Sequence, residues 1–318
     1  MILTNSRMTQ SALWSDETRS VAAGSGPGED LWAALRLYGA RRGAEAVVVL
    51  GSRAAFFYGA LTRLFGAGPP WIAKELLLQP ADEAPGPAEG AARALRRWAL
   101  AGCNRFVLYS ERERETCART FGVPLERCAF VPFHTRRTPA EAPVPGRGPL
   151  LAAGRSLRDY GTLARALRRT RVEVDVVAPA AERARFVGVP GARFLGELQD
   201  QAYRDRLADS AGVVIPVVET ARSAGQAVLL EAMGLGKPAV VADVPGMRDY
   251  FVPEETALTY APGDDAELAR QLERLAGDPA LRRRLGQAAL QRARERYTPE
   301  QHARAVLALA RECVRGAA

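Results

Sequence analysis

Short apolar segments alternate with helical patterns along almost the whole chain, and this alternation constrains the fold more than any other feature. In the first half, strands are predicted over residues 46–50, 70–73, 105–109 and 128–131. In the second half, strands are predicted over residues 149–153, 172–177, 192–195, 212–216, 238–242 and 257–260. Because apolar strands that alternate with helices form parallel sheets covered on both faces, the fold class is predicted to be α/β.

A segment rich in proline and glycine divides this series in two. Residues 134–149 contain four prolines and two glycines, which is typical of a linker. We therefore predict an N-terminal domain over residues 1–136, a linker over 137–148 and a C-terminal domain over 149–318. Both domains are expected to be doubly wound and Rossmann-like, and the chain is almost entirely helical from Asp264 onward.

The start of the chain carries little periodicity. Residues 1–28 are interpreted as a lead-in that contributes one short strand. Apart from it, about four clear strands precede the linker. The first domain is therefore expected to be short.

The charge balance permits phosphate-bearing partners or an anionic membrane surface without requiring either. The net charge is +8, and almost all basic residues are arginine, since Lys74 and Lys237 are the only lysines. An arginine-rich and alanine-rich composition also arises simply from a GC-rich genome. The charge is spread along the chain and no recognition module is visible, so no nucleic-acid partner is predicted.

Neither a metal site nor a membrane-spanning segment is predicted. The four cysteines are scattered without a Cys-x-x-Cys pair, the only histidines are His134 and His302, and no Asp-x-Asp motif occurs. No apolar run approaches the ~20 residues that span a bilayer. The N-terminus is polar after Met1-Ile2-Leu3 and does not resemble a signal peptide. A cytoplasmic location is expected, with peripheral attachment at the inner membrane face left open.

One segment has the residues of an anion site. After the apolar strand that ends near Pro216, the small residues Ser223, Ala224 and Gly225 precede a predicted helix that begins near Gln226. Uncovered backbone N–H groups and the helix dipole at such a start favour a diphosphate. Farther along the helix, the Glu231 carboxylate can accept hydrogen bonds from two ribose hydroxyls. Two simpler interpretations stay open: a glycine loop found in any doubly wound fold, and a solvated helix glutamate.

The residues that follow resemble a known motif. Leu229-Leu230-Glu231-Ala232-Met233 and Gly236-Lys237-Pro238 resemble the donor-site motif of retaining glycosyltransferase family 4, and 244–250 resembles its next loop. The resemblance covers about residues 149–300, and Ser110–Glu113 is similar to the end of the family's N-terminal domain. It implies a GT-B fold, a nucleotide-sugar donor (UDP-sugar favoured), no cofactor and transfer with retention. It also implies that Glu231 holds the ribose, and that 223–226 contacts the donor.

The chain departs from the family motif at two positions. The first motif glutamate, which lies by the donor sugar, is Ser223 here, and Glu219 is out of register. The family's phosphate-binding arginine corresponds to Arg155, after Gly154, but the lysine five residues later is Tyr160. Arg158 is the nearest replacement cation, because a guanidinium can clamp a diphosphate. A surface arginine at a helix start is the equal alternative for Arg158.

Weaker candidates complete the predicted site. Gly196 corresponds to a family turn whose backbone lies by the nucleobase, whereas Glu197 beside it is interpreted as exposed. His134, Lys74 and Glu75 are acceptor candidates, although a loop histidine is usually incidental. The acceptor is an unidentified small molecule, glycan or lipid-linked compound.

The resemblance predicts electrostatic catalysis. Arg155, Arg158 and the helix N-terminus would neutralise the leaving diphosphate in place of a metal, and Glu231 would hold the donor. The alternative is a non-catalytic homologue that binds a nucleotide or a partner enzyme, favoured by Ser223 and by the short N-terminal half. Nucleotide-sugar epimerisation is a third, weaker interpretation. The acceptor platform is either trimmed or built partly from residues 1–28.

Overall fold

The computed structural model describes residues 1–21, 28–76 and 87–316. They form two compact units, Met1–Pro132 with Pro299–Ala318, and Phe133–Thr298. Within the described ranges, no helix is long and apolar enough to cross a membrane. The two Rossmann-like sheets predicted from the alternating pattern are confirmed, one in each unit.

The first unit is a parallel sheet whose strands are ordered β2-β1-β3-β4-β5-β6. The strands are β1 Ile2–Thr4, β2 Thr18–Ser20, β3 Ala46–Leu50, β4 Trp71–Lys74, β5 Arg105–Leu108 and β6 Cys128–Phe130. The helices are α1 Ala12–Glu17, α2 Glu29–Ala40, α3 Ser52–Phe65, α4 Pro87–Leu100, α5 Glu111–Phe121 and α11 Pro299–Arg315. The connections from β2 to β6 all advance in one direction along the sheet. Right-handed crossovers therefore place α2 to α5 on the same face.

The N-terminal segment is more ordered than the sequence predicted. Residues 1–28 were expected to add one strand, but β1 and β2 both join the sheet, and α1 lies between them. Residues 22–27 of that segment lie outside the described part. The second strand was missed because β2, Thr18–Ser20, is polar and at the sheet edge, whereas the pairing of Leu3 with Val47 buries β1 completely. In the described part of the first unit the sheet therefore has six strands, where four clear strands and one short one were expected.

The C-terminal helix belongs to the first unit. Residues 299–314 were predicted to be helical within the second domain, and α11 forms there but packs with the N-terminal segment. Glu300 accepts hydrogen bonds from the Ser11 hydroxyl at 2.9 Å and from the Ala12 amide at 2.7 Å. Arg311 also pairs with Glu17 at 2.7 Å. Contacts between chain ends leave no local sequence signal.

The second unit has a parallel sheet of order β12-β11-β10-β7-β8-β9. The strands are β7 Leu150–Ala153, β8 Val174–Val177, β9 Ala192–Phe194, β10 Val213–Ile215, β11 Ala239–Ala242 and β12 Leu258–Tyr260. The helices are α6 Tyr160–Leu167, α7 Asp200–Asp209, α8 Gln226–Gly234, α9 Asp265–Gly277 and α10 Pro279–Arg296, with a 3-10 helix over Ala180–Phe186. The strand order reverses between β7 and β10, and their carboxyl ends form the switch point where such sheets bind ligands.

The predicted linker packs on this second unit. The Ala140 amide donates to the Gly234 carbonyl at 2.8 Å, and the Val144 amide donates to the Leu235 carbonyl at 2.8 Å. These bonds anchor the segment beyond the end of α8. Proline and glycine in 137–148 therefore shape an ordered extended segment.

Candidate functional site

Two loops meet at the carboxyl end of the second sheet. The loop after β7 and the loop after β10 are joined by main-chain hydrogen bonds: Asp159 donates to Pro216 at 3.0 Å, and Val218 donates to Leu157 at 3.1 Å. Arg158 and Val217 form a bridge between the same segments. The loop over residues 154–159, which we call the phosphate loop for its predicted role, and the turn over 223–226, which we call the donor turn, are therefore connected.

The donor turn ends in an uncapped helix start. Gly225 has φ of 96° and precedes α8 without a side-chain cap, and the first helical bond runs from the Leu229 amide to the Gly225 carbonyl at 3.0 Å. The amides of Gln226 to Val228 precede that bond, so the positive end of the helix is formed by backbone groups alone. A Cβ at Gly225 would lie 2.8 Å from the Ile215 side chain. Glycine therefore allows both the positive φ and the packing on β10.

A second glycine, Gly246, packs against the backbone of this turn. A Cβ at Gly246 would overlap the carbonyl oxygen of Arg222 and would lie 2.9 Å from the Ser223 nitrogen. The loop after β11 thus packs directly against the backbone of the donor turn. Ala224 is buried there as well. The conformation of 222–225 depends on this close backbone approach.

Glu231 lies on α8 with its carboxylate mostly buried. Its Oε1 pairs with Arg136 Nε at 3.2 Å, and its side chain is 17% exposed whereas that of Arg136 is 69% exposed. Burial raises the pKa of Glu231, and Arg136 acts in the opposite direction. Tyr203 is close enough that Glu231 contributes, after burial, to a raised pKa of the phenol. The Tyr203 hydroxyl is buried near this carboxylate, and it also opposes the rise of the Glu231 pKa.

Arg158 is held inside the phosphate loop. Its Nε donates to the Ala153 carbonyl at 3.0 Å and its Nη1 donates to the Ser156 carbonyl at 3.0 Å. The guanidinium packs against Gly154, whose φ is 137°. Burial lowers the pKa of Arg158, and Tyr160 lies close enough to oppose this shift. Arg158 is therefore half-buried and bonded to its own loop, and its role in phosphate binding stays a prediction.

Tyr160 stands where the family has its lysine, and its role here is structural. The side chain is buried, and its hydroxyl donates to the Gly154 carbonyl at 2.8 Å. This bond holds the backbone of Gly154, at the start of the loop, in place.

Arg155 extends from the same loop to a neighbouring one. Its Nε pairs with Glu197 Oε1 at 2.7 Å, and the two side chains are 67% and 42% exposed. Glu197 follows Gly196, whose φ is 73° and whose carbonyl accepts from the Ala178 amide at 3.2 Å. The prediction that Glu197 is exposed is confirmed, and the structure adds its ion pair with Arg155.

The acceptor candidates fall in different units. His134 lies in the second unit, where its Nδ1 donates to the Thr135 carbonyl at 2.8 Å. Lys74 is the last residue of β4 in the first unit, and Glu75 follows it. Lys74 is 2% exposed, its Nζ lies 3.7 Å from Met8 Sδ and 5.5 Å from the centroid of the Trp14 ring, and burial lowers its pKa to about 8.

Glu75 has a strained backbone for a residue with a side chain. Its φ is 60°, in the left-handed region, and its Oε1 accepts from the Tyr109 hydroxyl at 3.4 Å.

Sequence reasoning missed Arg136, Tyr203 and the pairing of Glu197 with Arg155. Each residue lies far along the chain from its partner, and neither Arg136 nor Tyr203 belongs to a recognisable motif. The Arg136-Arg137 pair beside the proline-rich segment was the only local signal. Among the described residues, no group of three or more His, Cys, Asp or Glu side chains is arranged to hold a metal ion.

Comparison with known proteins matches most of the second unit and the start of α11. Residues 158–308 match a family model described as glycosyl transferase-like. This part of the chain is therefore similar to a glycosyltransferase domain. The matched region of this domain includes Arg158, the donor turn and Glu231, and extends into α11.

The chain matches only part of the length of a curated relative. A phosphatidyl-myo-inositol mannosyltransferase from Propionibacterium freudenreichii subsp. shermanii is 33% identical over 115 residues, which are 36% of this chain and 29% of the relative. The chain thus matches less than a third of that protein.

Solved structures resemble the fold over nearly the whole chain. Sucrose-phosphate synthase from Thermosynechococcus elongatus has a TM-score of 0.72 at 19% identity, covering 94% of this chain and 84% of its own. Anabaena HepE in complex with UDP has a TM-score of 0.70 at 14% identity, covering 93% and 86%. The predicted GT-B fold is therefore confirmed.

Proposed function

We propose that the chain transfers a sugar from a nucleotide-sugar donor to an acceptor hydroxyl. The observation that carries this proposal is the joining of three features at one sheet edge: the uncapped start of α8, the Glu231 carboxylate farther along that helix, and the loop bearing Arg155 and Arg158. The first feature suits a diphosphate and the second suits a pentose. A structural neighbour bound to UDP supports a UDP-sugar as the donor.

The reaction breaks the bond between the anomeric carbon and the diphosphate oxygen and forms a bond from that carbon to the acceptor oxygen. The acceptor hydroxyl loses its proton, and the diphosphate leaves with the extra negative charge. Arg155, Arg158 and the α8 amides would stabilise that charge, which is the largest contribution a preorganised site makes. Arg155 must exchange Glu197 for the donor phosphates, whereas Arg158 is already held by two carbonyls.

Retention at the anomeric carbon and independence from metal are finer parts of the proposal. Retention follows from the resemblance to family 4, and Ser223 supplies no carboxylate beside the donor sugar. The acceptor class is a glycan, a small molecule or a lipid-linked compound. The curated relative, a phosphatidyl-myo-inositol mannosyltransferase, supports a lipid-linked acceptor.

The test is a screen of UDP-, GDP- and dTDP-sugars for thermal stabilisation and for donor hydrolysis. Stabilisation with turnover supports a transferase. Binding of a nucleotide sugar without turnover, across glycan and lipid acceptors, indicates the non-catalytic alternative, and indifference to every donor refutes the site. Turnover that survives EDTA supports independence from metal, and the anomeric coupling of the product reports retention or inversion.

Two arginine variants test the charge stabilisation. Arg155→Ala and Arg158→Ala are each expected to lower turnover by about a hundredfold to a thousandfold, the usual effect of removing one such donor. Arg274→Ala is the matched control, because Arg274 is also an exposed arginine in an ion pair, with Glu254 at 2.7 Å on another part of the unit. Wild-type rates in Arg155→Ala would exclude Arg155 from phosphate binding.

A further inference from the structure

All four cysteines of the chain lie in the first unit, although they are scattered along the sequence. Each is buried, and none is in a disulfide. Two of them, Cys117 and Cys128, lie on adjoining elements, α5 and β6. The thiols of these two residues are hydrogen-bonded to each other. The fold therefore joins two thiols that an intervening turn separates in the sequence.

The packing of α5 on the sheet brings this pair together. Arg114 Nε donates to the Cys128 carbonyl at 2.7 Å. The Phe121 ring stacks on the Phe106 ring with their centroids 6.1 Å apart, and Phe106 is the partner of Cys128 in the register of β5 and β6. Cys117 lies between Arg114 and Phe121 on α5, one helical turn from each. The side of α5 that carries Cys117 is therefore the side that covers Cys128.

The hydrogen bond makes the two thiols unequal. Cys117 donates to the Cys128 sulfur, so this bond, together with burial, raises the pKa of Cys117. The same bond lowers the pKa of Cys128, and the Arg114 guanidinium acts in the same direction against the effect of burial. Because the thiolate is the form of cysteine that reacts with oxidants, Cys128 is the more reactive of the pair.

Cys128 also lies where the first unit opens most easily. Within the described sheet β6 is the last strand, so it pairs with β5 alone. A short 3-10 helix, Leu125–Arg127, precedes Cys128, and Leu125 is 43% exposed. Segments with few buried contacts open locally at a lower free energy than the centre of a core. A small oxidant can therefore reach the Cys128 thiol, although the residue is 1% exposed in the closed structure.

We propose that Cys117 and Cys128 form a reversible disulfide when the protein meets a hydroperoxide. The Cys128 thiolate attacks a peroxide oxygen, which gives a sulfenic acid on Cys128 and, for hydrogen peroxide, releases water. The Cys117 sulfur then attacks the sulfenic sulfur, so that the S–S bond forms and a second water leaves with the Cys117 proton. The two thiols lose two electrons and two protons, and the peroxide is reduced to water. A dithiol reverses the reaction by exchange.

This modification site does not depend on the proposed function. Both cysteines lie in the first unit, whereas the predicted donor residues lie in the second. The disulfide joins α5 to the edge strand β6 and closes a short loop around the 3-10 helix, so it restrains the unfolded chain. The oxidised protein is therefore expected to melt about 5 °C higher than the reduced protein.

Peptide mapping of the folded full chain tests the pairing. The protein is exposed to hydrogen peroxide, unfolded in mild acid with a maleimide that blocks free thiols, and digested with trypsin without reduction. Cleavage after arginine places Cys117 in the peptide over 115–119 and Cys128 in the peptide over 128–136. We expect these two peptides to be joined, and to separate after treatment with dithiothreitol.

Single substitutions test the order of the two steps. In Cys117→Ser the Cys128 sulfenic acid has no partner thiol and is expected to react with dimedone. In Cys128→Ser the labelling of Cys117 is expected to be about tenfold lower, because that thiol keeps its proton. Arg114→Gln is expected to slow disulfide formation about fivefold. Cys103→Ser is the matched control, since Cys103 is buried in the same unit but donates to the Arg105 carbonyl at 3.0 Å.

Three results overturn the proposal. They are a folded chain that keeps all four thiols after peroxide, a cross-link of Cys103 with Cys313 instead, and a 117–128 cross-link that forms only when urea is present during oxidation. Cys103 and Cys313 are near enough to affect each other, so their pairing is the direct competitor. The map of the wild type needs no substitution, so it decides the pairing even if a serine variant fails to fold.

Discussion

Arg136 and Glu231 form an ion pair within the second unit, with 3.2 Å between Nε and Oε1, although the two residues are far apart in sequence. The pair places a guanidinium on the carboxylate proposed to hold the donor ribose. Burial of the Glu231 carboxylate raises its pKa, and Arg136 is the strongest influence that opposes this rise. Donor binding must therefore share or replace this contact.

The Arg136→Ala variant is expected to bind nucleotide more weakly as pH falls, beginning at a higher pH than in the wild type. Ribose hydroxyls donate to the ionised carboxylate, and loss of Arg136 raises the pKa of Glu231 further. A raised carboxyl pKa also means that the ionised group costs stability above that pKa, and that this cost disappears as pH falls through it. UDP titrations across the acid range measure the effect, and superimposable pH profiles would contradict it.

Removing the Glu231 carboxylate is expected to abolish discrimination between ribose and deoxyribose. Glu231→Ala should weaken UDP binding by about tenfold to a hundredfold, as expected for hydrogen bonds to a charged group. The wild type should prefer UDP over 2′-deoxy-UDP, and the variant should bind both alike. Calorimetry with the two nucleotides reports this directly. A variant that keeps the preference would remove Glu231 from the ribose site.

Releasing Arg155 from Glu197 is expected to favour the donor. Glu197→Gln removes the charge that holds the guanidinium at 2.7 Å, so less interaction is lost when Arg155 moves to the phosphates. Both side chains are well exposed, so the gain in UDP affinity is limited to about fivefold. The double variant Glu197→Gln with Arg155→Ala should lose that gain. An equal gain in the double variant would show that Glu197 acts without Arg155.

The close packing at Gly246 gives a test of the donor turn that leaves every polar side chain in place. Gly246→Ala introduces a Cβ that overlaps the Arg222 carbonyl, so the turn at 222–225 must shift. We expect a loss of about 1–3 kcal/mol in the free energy of unfolding and weaker UDP binding. Gly277→Ala is the control, because no atom lies within 4 Å of its Cβ position. Normal UDP affinity in folded Gly246→Ala would separate the turn from the nucleotide.

The two buried lysines are expected to respond oppositely to the same substitution. The pKa of Lys74 is lowered from 10.5 to about 8, and its ammonium contacts a thioether and an indole ring. Lys74→Met should raise stability by on the order of 1–3 kcal/mol at neutral pH. Between about 8 and 10.5 the folded wild type gives up its proton first, so its disadvantage shrinks as pH rises.

Lys237 has the same lowered pKa of about 8 but satisfies buried carbonyls. Its Nζ donates to the Ser210 carbonyl at 2.9 Å. Lys237→Met leaves that acceptor unpaired and should destabilise the second unit. Thermal melts of both variants at neutral and alkaline pH measure the contrast. If Lys74→Met melts earlier than the wild type at neutral pH, the Trp14 contact outweighs the burial cost.

Loss of sugar transfer in Lys74→Met, with donor hydrolysis intact, would indicate that Lys74 serves the acceptor.

Much of the fold and the principal site elements could be predicted from local pattern. The strands of the second unit and α8 carry enough apolar residues in sequence to show their period, and Gly225 marks the helix start because few other residues fit its φ. Only one short strand was predicted in residues 1–28, since β2 consists of the polar residues Thr18–Ser20 and shows no apolar pattern. The placement of α11 could not be predicted either, because its partners, such as Ser11, lie at the other end of the chain.

By itself the sequence determined the two-sheet architecture, the donor turn and the position of Glu231, because each depends on residues that are neighbours along the chain. Only the tertiary structure decided which charges meet: Arg136 with Glu231, Arg155 with Glu197, and Arg158 with the carbonyls of its own loop. It also decided that Lys74 is buried. The physical reason is that electrostatic interactions depend on distance through space, and folding sets these distances without regard to separation along the chain.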